Sequence, residues 1–469
     1  MFNTKSRAAR AVCGTLLTLL LAGSAMACTT ILVGKNLTAD GSVMMIHAED
    51  MDYDDMGRIY LVPHKEHAPG ETAYLPWETV PQPAETNRYW AVGNWSKTKY
   101  NGDVLGGLNE KGVGIACNVL WSKGPHMEGK QGLRRYSIRQ IVFDRASSAR
   151  EGVEIIAQLI AKYGQADTKM MDTVFCLADQ NEAWAVEATD HNWVAKRVPD
   201  NGYLVWANEI CIEDDWDLAS PEIMETTKRS GGQKVNYKKE FGLYGDKDVG
   251  IGLLWNTARK ARAEELLASH GGKITVQTLL NIARDHYEGT DKALNPPHSG
   301  SYYDYPAKDP RPICTIECQE VTIFQMKGGL PAELGAKMWV GPSSPCVTSL
   351  FPIYAGTMAI PPAYTIGELP YSLDSAWWRF ETIQRLADKD YANSIKVVRA
   401  GWLPYESRVF AEAEAVEAKA AKAYADGKAE EGRRILTAFS VDAMEEANSR
   451  AMAIVEKLLA MNIKAPVLK

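Results

Sequence analysis

The stretch from Cys28 to Asp50, CTTILVGKNLTADGSVMMIHAED, decides how the rest of the chain is read. It holds two short β-rich runs, TTILVG at 29–34 and SVMMIHA at 42–48. The segment between them, NLTADG, carries the Asn, Asp and Gly of a turn, so the runs predict two strands that pair as a hairpin. Its first residue is the unusual one. Cys28 directly follows Ser24-Ala25-Met26-Ala27, with small residues at the two positions that matter before a signal-peptidase cut. Upstream lie an apolar segment at 11–23 and the basic residues Lys5, Arg7 and Arg10. That is the anatomy of a secretory leader. The apolar run is too short to cross a bilayer comfortably, and no other run is long enough. Residues 1–27 therefore read as a signal peptide and Cys28 as the first residue of an exported chain, periplasmic or extracellular, with no transmembrane segment after cleavage.

Removing 27 residues from 469 leaves 442, and three basic residues but no acid go with them, so the formal charge moves from −7 to −10. No basic cluster remains to hold a polyanion, which argues against a nucleic-acid partner. The length alone would allow two or three domains. Of eight cysteines, Cys13 lies in the leader; Cys28, Cys117, Cys176, Cys211, Cys314, Cys318 and Cys346 remain. In an oxidising compartment an odd count leaves at least one free thiol. Cys176 and Cys211 sit in apolar strand-like stretches and read as small buried hydrophobes. Cys314 and Cys318 are compatible with either a bridge or simple packing.

Downstream, RIYLVP (58–63) is a further strand, followed by a Pro-, Trp- and charge-rich connection over 63–101. VLGGLNEKGVGIACNVLWS (104–122) predicts two strands around the turn Asn109-Glu110-Lys111-Gly112. Ser148 and Glu151 form a capping-box pattern at a helix start, with Gly164 placed as its stop. DTVFCLAD, EAWAVEA, NWVAKRV and YLVWANEI are closely spaced strands joined by polar turns, the mark of antiparallel meanders. Helices are predicted over 256–269 and 278–287, then strands at EVTIFQM and AKMWVG. Beyond Pro361-Pro362, Ala, Glu, Lys and Arg dominate with helical periodicity from 374 to about 461. The organisation read from this is 1–27 leader, 28–372 a mixed strand-and-helix domain and 373–469 a helical C-terminal region packed on it, in an α+β protein with antiparallel sheets.

A thiol at position one has a chemical logic. The thiolate is the nucleophile, and a base must take its proton. An exposed α-amine has a pKa of about 7.7–8.0, so near neutrality a useful fraction is free base. A mature chain beginning at Cys28 would carry nucleophile and base on one residue, with no histidine required. Two other readings of Cys28 stand beside this: a lipoprotein acylated at its first residue, although Ala25 occupies the place where that machinery prefers Leu, and an incidental buried cysteine.

The continuation separates them. Cys28-Thr29-Thr30, Asp40-Gly41-Ser42 and Glu49-Asp50 resemble the opening of the dipeptidase A and secernin family of N-terminal-nucleophile cysteine hydrolases. GLNEKGVGIACN, EAWAVEATDHNWVAKRVPDNGYLVWANE, RPICTIECQEVTIFQM, LPAELGAKMWVGPSSP and FPIYAGTMAIPPAY follow in the family's order. The resemblance spans Cys28 to about Ala400. It implies a four-layer αββα sandwich of two antiparallel sheets, amide hydrolysis of dipeptides or small peptides through a thioester, and no cofactor. A homo-oligomer is compatible with it, though no interface is legible. Two positions depart from the pattern: His47 stands where the family usually has arginine, and Ala48 where it usually has asparagine.

The resemblance implies roles. Cys28 is the nucleophile and its α-amine the base. Asp50 is the matching acidic position, placed to orient ammonium or thiol. Asn208 matches the oxyanion asparagine, and Asn118, on the strand after the Asn-Glu-Lys-Gly turn, is a further catalytic candidate that would donate from backbone or side chain. His47, read as a substrate-binding residue, would lie near the thiolate and titrate where arginine does not. Arg311 suits a bidentate clamp on a substrate carboxylate, with a surface arginine in a Pro-rich turn as the plainer reading. Asp52, Asp54 and Asp55 would suit capture of a substrate's free amine. Asp50, Asp52 and Asp54 also alternate like a calcium loop, but Asp55 and Leu61 stand where Gly and Glu are needed, so no metal site is assigned. There is no Gly-x-Ser-x-Gly elbow, His-Glu-x-x-His or phosphate loop. The alternatives to a dipeptidase are a related amidase acting on N-acyl amides or bile-salt conjugates, and a peptide-binding lipoprotein acylated at Cys28.

Overall fold

A computed structural model describes residues 28–51, 57–75, 78–94, 104–127, 132–166, 171–243, 251–293, 311–367 and 371–462. The opening hairpin pairs β1 (Thr29–Val33) with β2 (Val43–Asp50), Thr30 opposite His47. Its turn is held locally. Asp40 accepts from the Ser42 backbone and hydroxyl at 3.1 and 2.6 Å, and Gly41 takes φ +75°, a conformation that costs glycine little.

The next strands are β3 (Gly57–Val62), the ribbon pairs β4 (Lys65–Glu66) with β7 (Glu85–Thr86) and β5 (Thr72–Tyr74) with β6 (Thr79–Pro81), then β8 (Tyr89–Asn94), β9 (Val104–Asn109) and β10 (Gly114–Trp121). β11 (Met171–Ala178), β12 (Ala183–Thr189), β13 (Asn192–Arg197), β14 (Tyr203–Trp206) and β15 (Leu218–Ala219) form the meander. β16 (Cys318–Met326), β17 (Ala336–Pro342) and β18 (Phe351–Tyr354) close the list of strands. They assemble into a six-stranded sheet, β14-β1-β2-β16-β17-β18, and an eight-stranded sheet, β15-β13-β12-β11-β10-β9-β8-β3, in which the neighbouring strands pair antiparallel.

The two faces of the larger sheet follow from strand alternation. On β11, Val174, Cys176 and Ala178 point into the core shared with the six-stranded sheet, while Phe175 and Leu177 point to the opposite side. There they meet Ile141 and Val142 of α1 (Arg135–Arg145) and Val153 and Ile156 of α2 (Ala149–Tyr163). Small α3 (Pro221–Arg229) and α4 (Tyr237–Phe241) follow. α5 (Ile251–Ser269) and α6 (Val276–Ala283) cover the other side of the six-stranded sheet at β14 and β16. After α7 (Ala332–Gly335), helices α8 (Ala376–Ala387), α9 (Tyr391–Ala425) and α10 (Ala429–Asn462) pack on one another and against β17 and β18. The layers therefore run helix, sheet, sheet, helix, the expected αββα sandwich. With partners on both faces, β2 is buried at all eight positions, so its sequence shows no in–out alternation.

Local expectations meet the structure in detail. Ser148 accepts from the Glu151 backbone at 3.1 Å, as a capping box requires, but Glu151 returns to Ser147 N, one residue earlier. The helix expected to reach residue 287 ends at Ala283, and Tyr287 takes φ +66°, outside the helical range. The span 63–101, expected as a plain connection, contains β8. Tyr89 and Trp90 are buried there, and β8 joins β3 to β9 within the large sheet. Its glycine and paired aromatics disguise a strand that is covered on both faces.

Candidate active site

Hairpin geometry brings the chemistry together. Cys28 enters β1 at the level where β2 presents Glu49, and it is 1% exposed. Its Sγ lies 3.4 Å from Glu49 Oε1 and 3.9 Å from the Asp50 carbonyl oxygen. His47 and Glu49, two residues apart on one strand face, meet at 2.7 Å between Nε2 and Oε2. On the other side of the imidazole, Nδ1 is 2.7 Å from Thr30 Oγ1. Thr30 in turn donates to Asn118 Oδ1 at 2.6 Å. Since that donation uses the only hydroxyl proton, Nδ1 of His47 must carry a hydrogen and donate to Thr30. His47 thereby bridges Thr30 and Glu49, one ring nitrogen to each.

Asn118 reaches in from β10 of the other sheet. Its Nδ2 donates to the carbonyl oxygens of Cys28, Trp206 and Ala207 at 3.2, 3.3 and 2.9 Å. Asn208 donates from Nδ2 to Val119 O at 2.8 Å and accepts from Arg259 on Oδ1 at 2.8 Å. Arg259, fully buried on α5, also donates to Cys28 O at 3.1 Å, Thr29 Oγ1 at 2.9 Å and Asn256 Oδ1 at 2.7 Å. Asp50 is 1% exposed, and neither carboxylate oxygen has a hydrogen-bond partner among the described residues. Arg311 Nη2 stands 3.5 Å away and also contacts Glu317 and Thr315.

The electrostatics follow from this crowding of buried groups. Burial pushes the Cys28 thiol well up, and the charges of Glu49 and Asp50 push the same way. Burial also raises Asp50 to about 7, against the pull of Arg311 and Arg259. Glu49 is different. Burial would raise it, but the His47 hydrogen bond and charge, with Arg139 and Arg135, hold it below the ordinary carboxylate range. Glu320, opposite Glu49 on β16, is raised to about 8 by burial and by Glu49. The thiol, His47 and Glu49 place ligand atoms within 4.8 Å of one another, so a thiophilic ion captured here would occupy the thiol.

Residues 27–239 and 263–403 match the sequence profile of Peptidase family C69. The chain belongs to this family. Similar C69-type relatives include a "Probable dipeptidase" of Latilactobacillus sakei, 26% identical over 403 residues, covering 78% of this chain and 82% of that protein. A "Probable dipeptidase" of Salmonella dublin is 25% identical, covering 72% and 83%. Among solved structures, penicillin V acylase from Agrobacterium tumefaciens matches at TM-score 0.38 and 14% identity, over 70% of this chain and 86% of its own. A variant of conjugated bile acid hydrolase from Clostridium perfringens matches at TM-score 0.40 and 14% identity, over 73% and 95%. As a C69 member the protein is a peptidase.

Of the residues expected at a C69 site, the structure gathers Cys28, His47, Asp50, Asn118, Asn208 and Arg311 around the β1–β2 hairpin. His47 and Arg311, expected to bind substrate, are buried at 1% and 6% exposure; the polar atoms of His47 meet Glu49 and Thr30, and Arg311 meets Asp50 and Glu317. Asp52, Asp54 and Asp55, the expected amine-capturing acids, lie outside the described residues. Sequence reasoning passed over Glu49, Thr30, Asn256 and Arg259. Glu49 had a signal, standing two residues after His47 on a strand. Arg259 had none, since Lys260 and Arg262 flank it on a basic helix and its partner Cys28 O is 231 residues away.

Proposed function

We propose that this protein is an exported dipeptidase that works through a thioester on Cys28. Cleavage of the Ala27–Cys28 bond frees an α-amine on the nucleophile itself. The amine takes the thiol proton, directly or through one water. The sulfur adds to the peptide carbonyl, the C–N bond breaks, and the protonated amine product leaves. Water then adds to the thioester, releasing the carboxylic acid and restoring the thiol. The observation that carries the reading is Asp50, a buried carboxylate without hydrogen-bond partners among the described residues, beside the residue at which the leader is read to end. It is a ready counter-charge for the freed ammonium.

Hydrogen counting assigns the asparagines. Among the described residues, Asn208 Nδ2 donates one hydrogen, to Val119 O, and keeps its second for the developing oxyanion. Asn118 spreads two hydrogens over three carbonyls and serves as a brace. Arg259 fixes Asn208 and the Cys28 carbonyl; His47 holds Glu49 ionised; Arg311 balances Asp50. These three position the site without touching substrate.

The test is intact-mass and N-terminal analysis of the exported protein together with activity on free and N-blocked dipeptides. The expected result is a chain beginning at Cys28 that cleaves free dipeptides, with Cys28→Ala inactive. A diacylglyceryl adduct on Cys28, a different first residue, or cleavage of N-acyl amides but not dipeptides overturns the proposal.

A further inference from the structure

A second cluster of reactive side chains lies away from this site. His286, Cys314 and Cys346 are all buried, at 4%, 0% and 4% exposure, and their ligand atoms lie within 4.8 Å of one another. They come from three different loops: the turn after α6, the segment before β16, and the β17–β18 connection. Nothing in their sequence spacing resembles a metal motif, which is why they read as packed or bridging cysteines.

We propose that His286, Cys314 and Cys346 form a binding site for a thiophilic divalent cation of the zinc type, structural and independent of the peptidase chemistry. Three observations support it. First, the donor set is right: one imidazole nitrogen and two sulfurs, which soft and borderline ions select over magnesium or calcium. A zinc ion binds sulfur at about 2.3 Å and nitrogen at about 2.0–2.1 Å, so atoms already this close need only a small contraction.

Second, the imidazole is oriented as ligating histidines are. Glu288 Oε1 lies 3.0 Å from His286 Nδ1, and Glu288 Oε2 accepts from the His286 backbone at 2.6 Å. A carboxylate on one ring nitrogen fixes the tautomer and leaves Nε2 for the ion. The Tyr391 hydroxyl hydrogen-bonds to Cys346.

Third, the three loops are braced to one another before any ion arrives. Cys314 N donates to Asp285 O at 3.1 Å. Arg284 donates to Pro345 O and Thr348 O, each at 2.9 Å, and Ser344 Oγ to Thr315 O at 2.5 Å. Tyr287 and Ser343 hold φ of +66° and +67°, strained for side-chain-bearing residues, on the loops that carry His286 and Cys346. A preformed pocket of this kind loses little entropy when it takes up an ion.

The experiment is metal analysis of the full-length exported protein in the wild type, Cys28→Ser, and Cys314→Ser/Cys346→Ser forms. It is paired with cobalt(II) titration of metal-stripped, reduced wild-type protein. The expected stoichiometry is about one zinc per chain, kept by Cys28→Ser and lost by the double variant. Cobalt should give a thiolate-to-metal charge-transfer band in wild type and in Cys28→Ser. Should the double variant fail to fold, the cobalt band in Cys28→Ser, and its absence in a His286→Gln/Cys28→Ser chain, carries the decision. Three results overturn the proposal: a mapped Cys314–Cys346 disulfide with no metal, free thiols that take up neither zinc nor cobalt, or metal that Cys28→Ser abolishes.

Discussion

Asp50 is the residue whose behaviour distinguishes the uncut chain from the cut one. Raised to about 7 by burial, it holds a proton in the folded chain at pH values where the unfolded chain, near 3.9, has lost it. Between those values the folded state binds more protons, so Asp50's own contribution to stability is fullest below pH 4 and is lost as pH rises toward 7. In a chain blocked at Ala27–Cys28, Asp50→Asn should therefore stabilise, by about 1–3 kcal/mol at pH 8 and by little at pH 4, read from urea midpoints. In a chain beginning at Cys28, as proposed, the ammonium would add a second cation beside Arg311. The same substitution should then destabilise, and kcat should fall about 100-fold or more. Identical shifts in both forms would separate Asp50 from the amine. His47 and Glu49 make the complementary case. His47→Leu leaves a buried carboxylate unpaired and should cost about 3–5 kcal/mol, whereas His47→Leu/Glu49→Leu should recover part of that loss.

Among the elements, the β1–β2 hairpin was the most legible, because Asp40, Gly41 and Ser42 declare a turn whatever surrounds them. Gly41→Ala should cost about 1 kcal/mol, seen as a lower Tm, since its φ of +75° disfavours a side chain. Helix α2 was readable for a similar reason. Ser148→Ala removes the acceptor for Glu151 N and should cost about 1 kcal/mol. Strand β8 was not readable. Tyr89, Trp90 and Val92 face cores on both sides of the sheet, so the stretch lacks the alternation by which half-buried strands announce themselves. Site residues divide along the same line. Cys28, Glu49 and Asp50 sit within one hairpin and share a local context. Asn118, Asn208 and Arg259 come into register with them only through sheet stacking and α5 docking, which no window of sequence contains.

At the scale of the molecule, three helices close one side of the sandwich through large aromatic side chains. Trp402 of α9 is fully buried, stacks on Phe380 of α8 at 5.4 Å between centroids, and donates from Nε1 to Val347 O at 2.8 Å. Trp402→Ala should cost about 3–5 kcal/mol by denaturant unfolding, combining a cavity with an orphaned carbonyl. Among the described residues no helix is long and apolar enough to cross a membrane.

Asn118 reaches across the two sheets. A side chain rooted in one sheet, clasping the backbone of the other at Cys28, Trp206 and Ala207, works as a rivet through the middle of the enzyme. The two halves cannot slide or part without shearing it. Diversification toward new peptides should accordingly accumulate in the loops around the sandwich, while the riveted centre stays as it is.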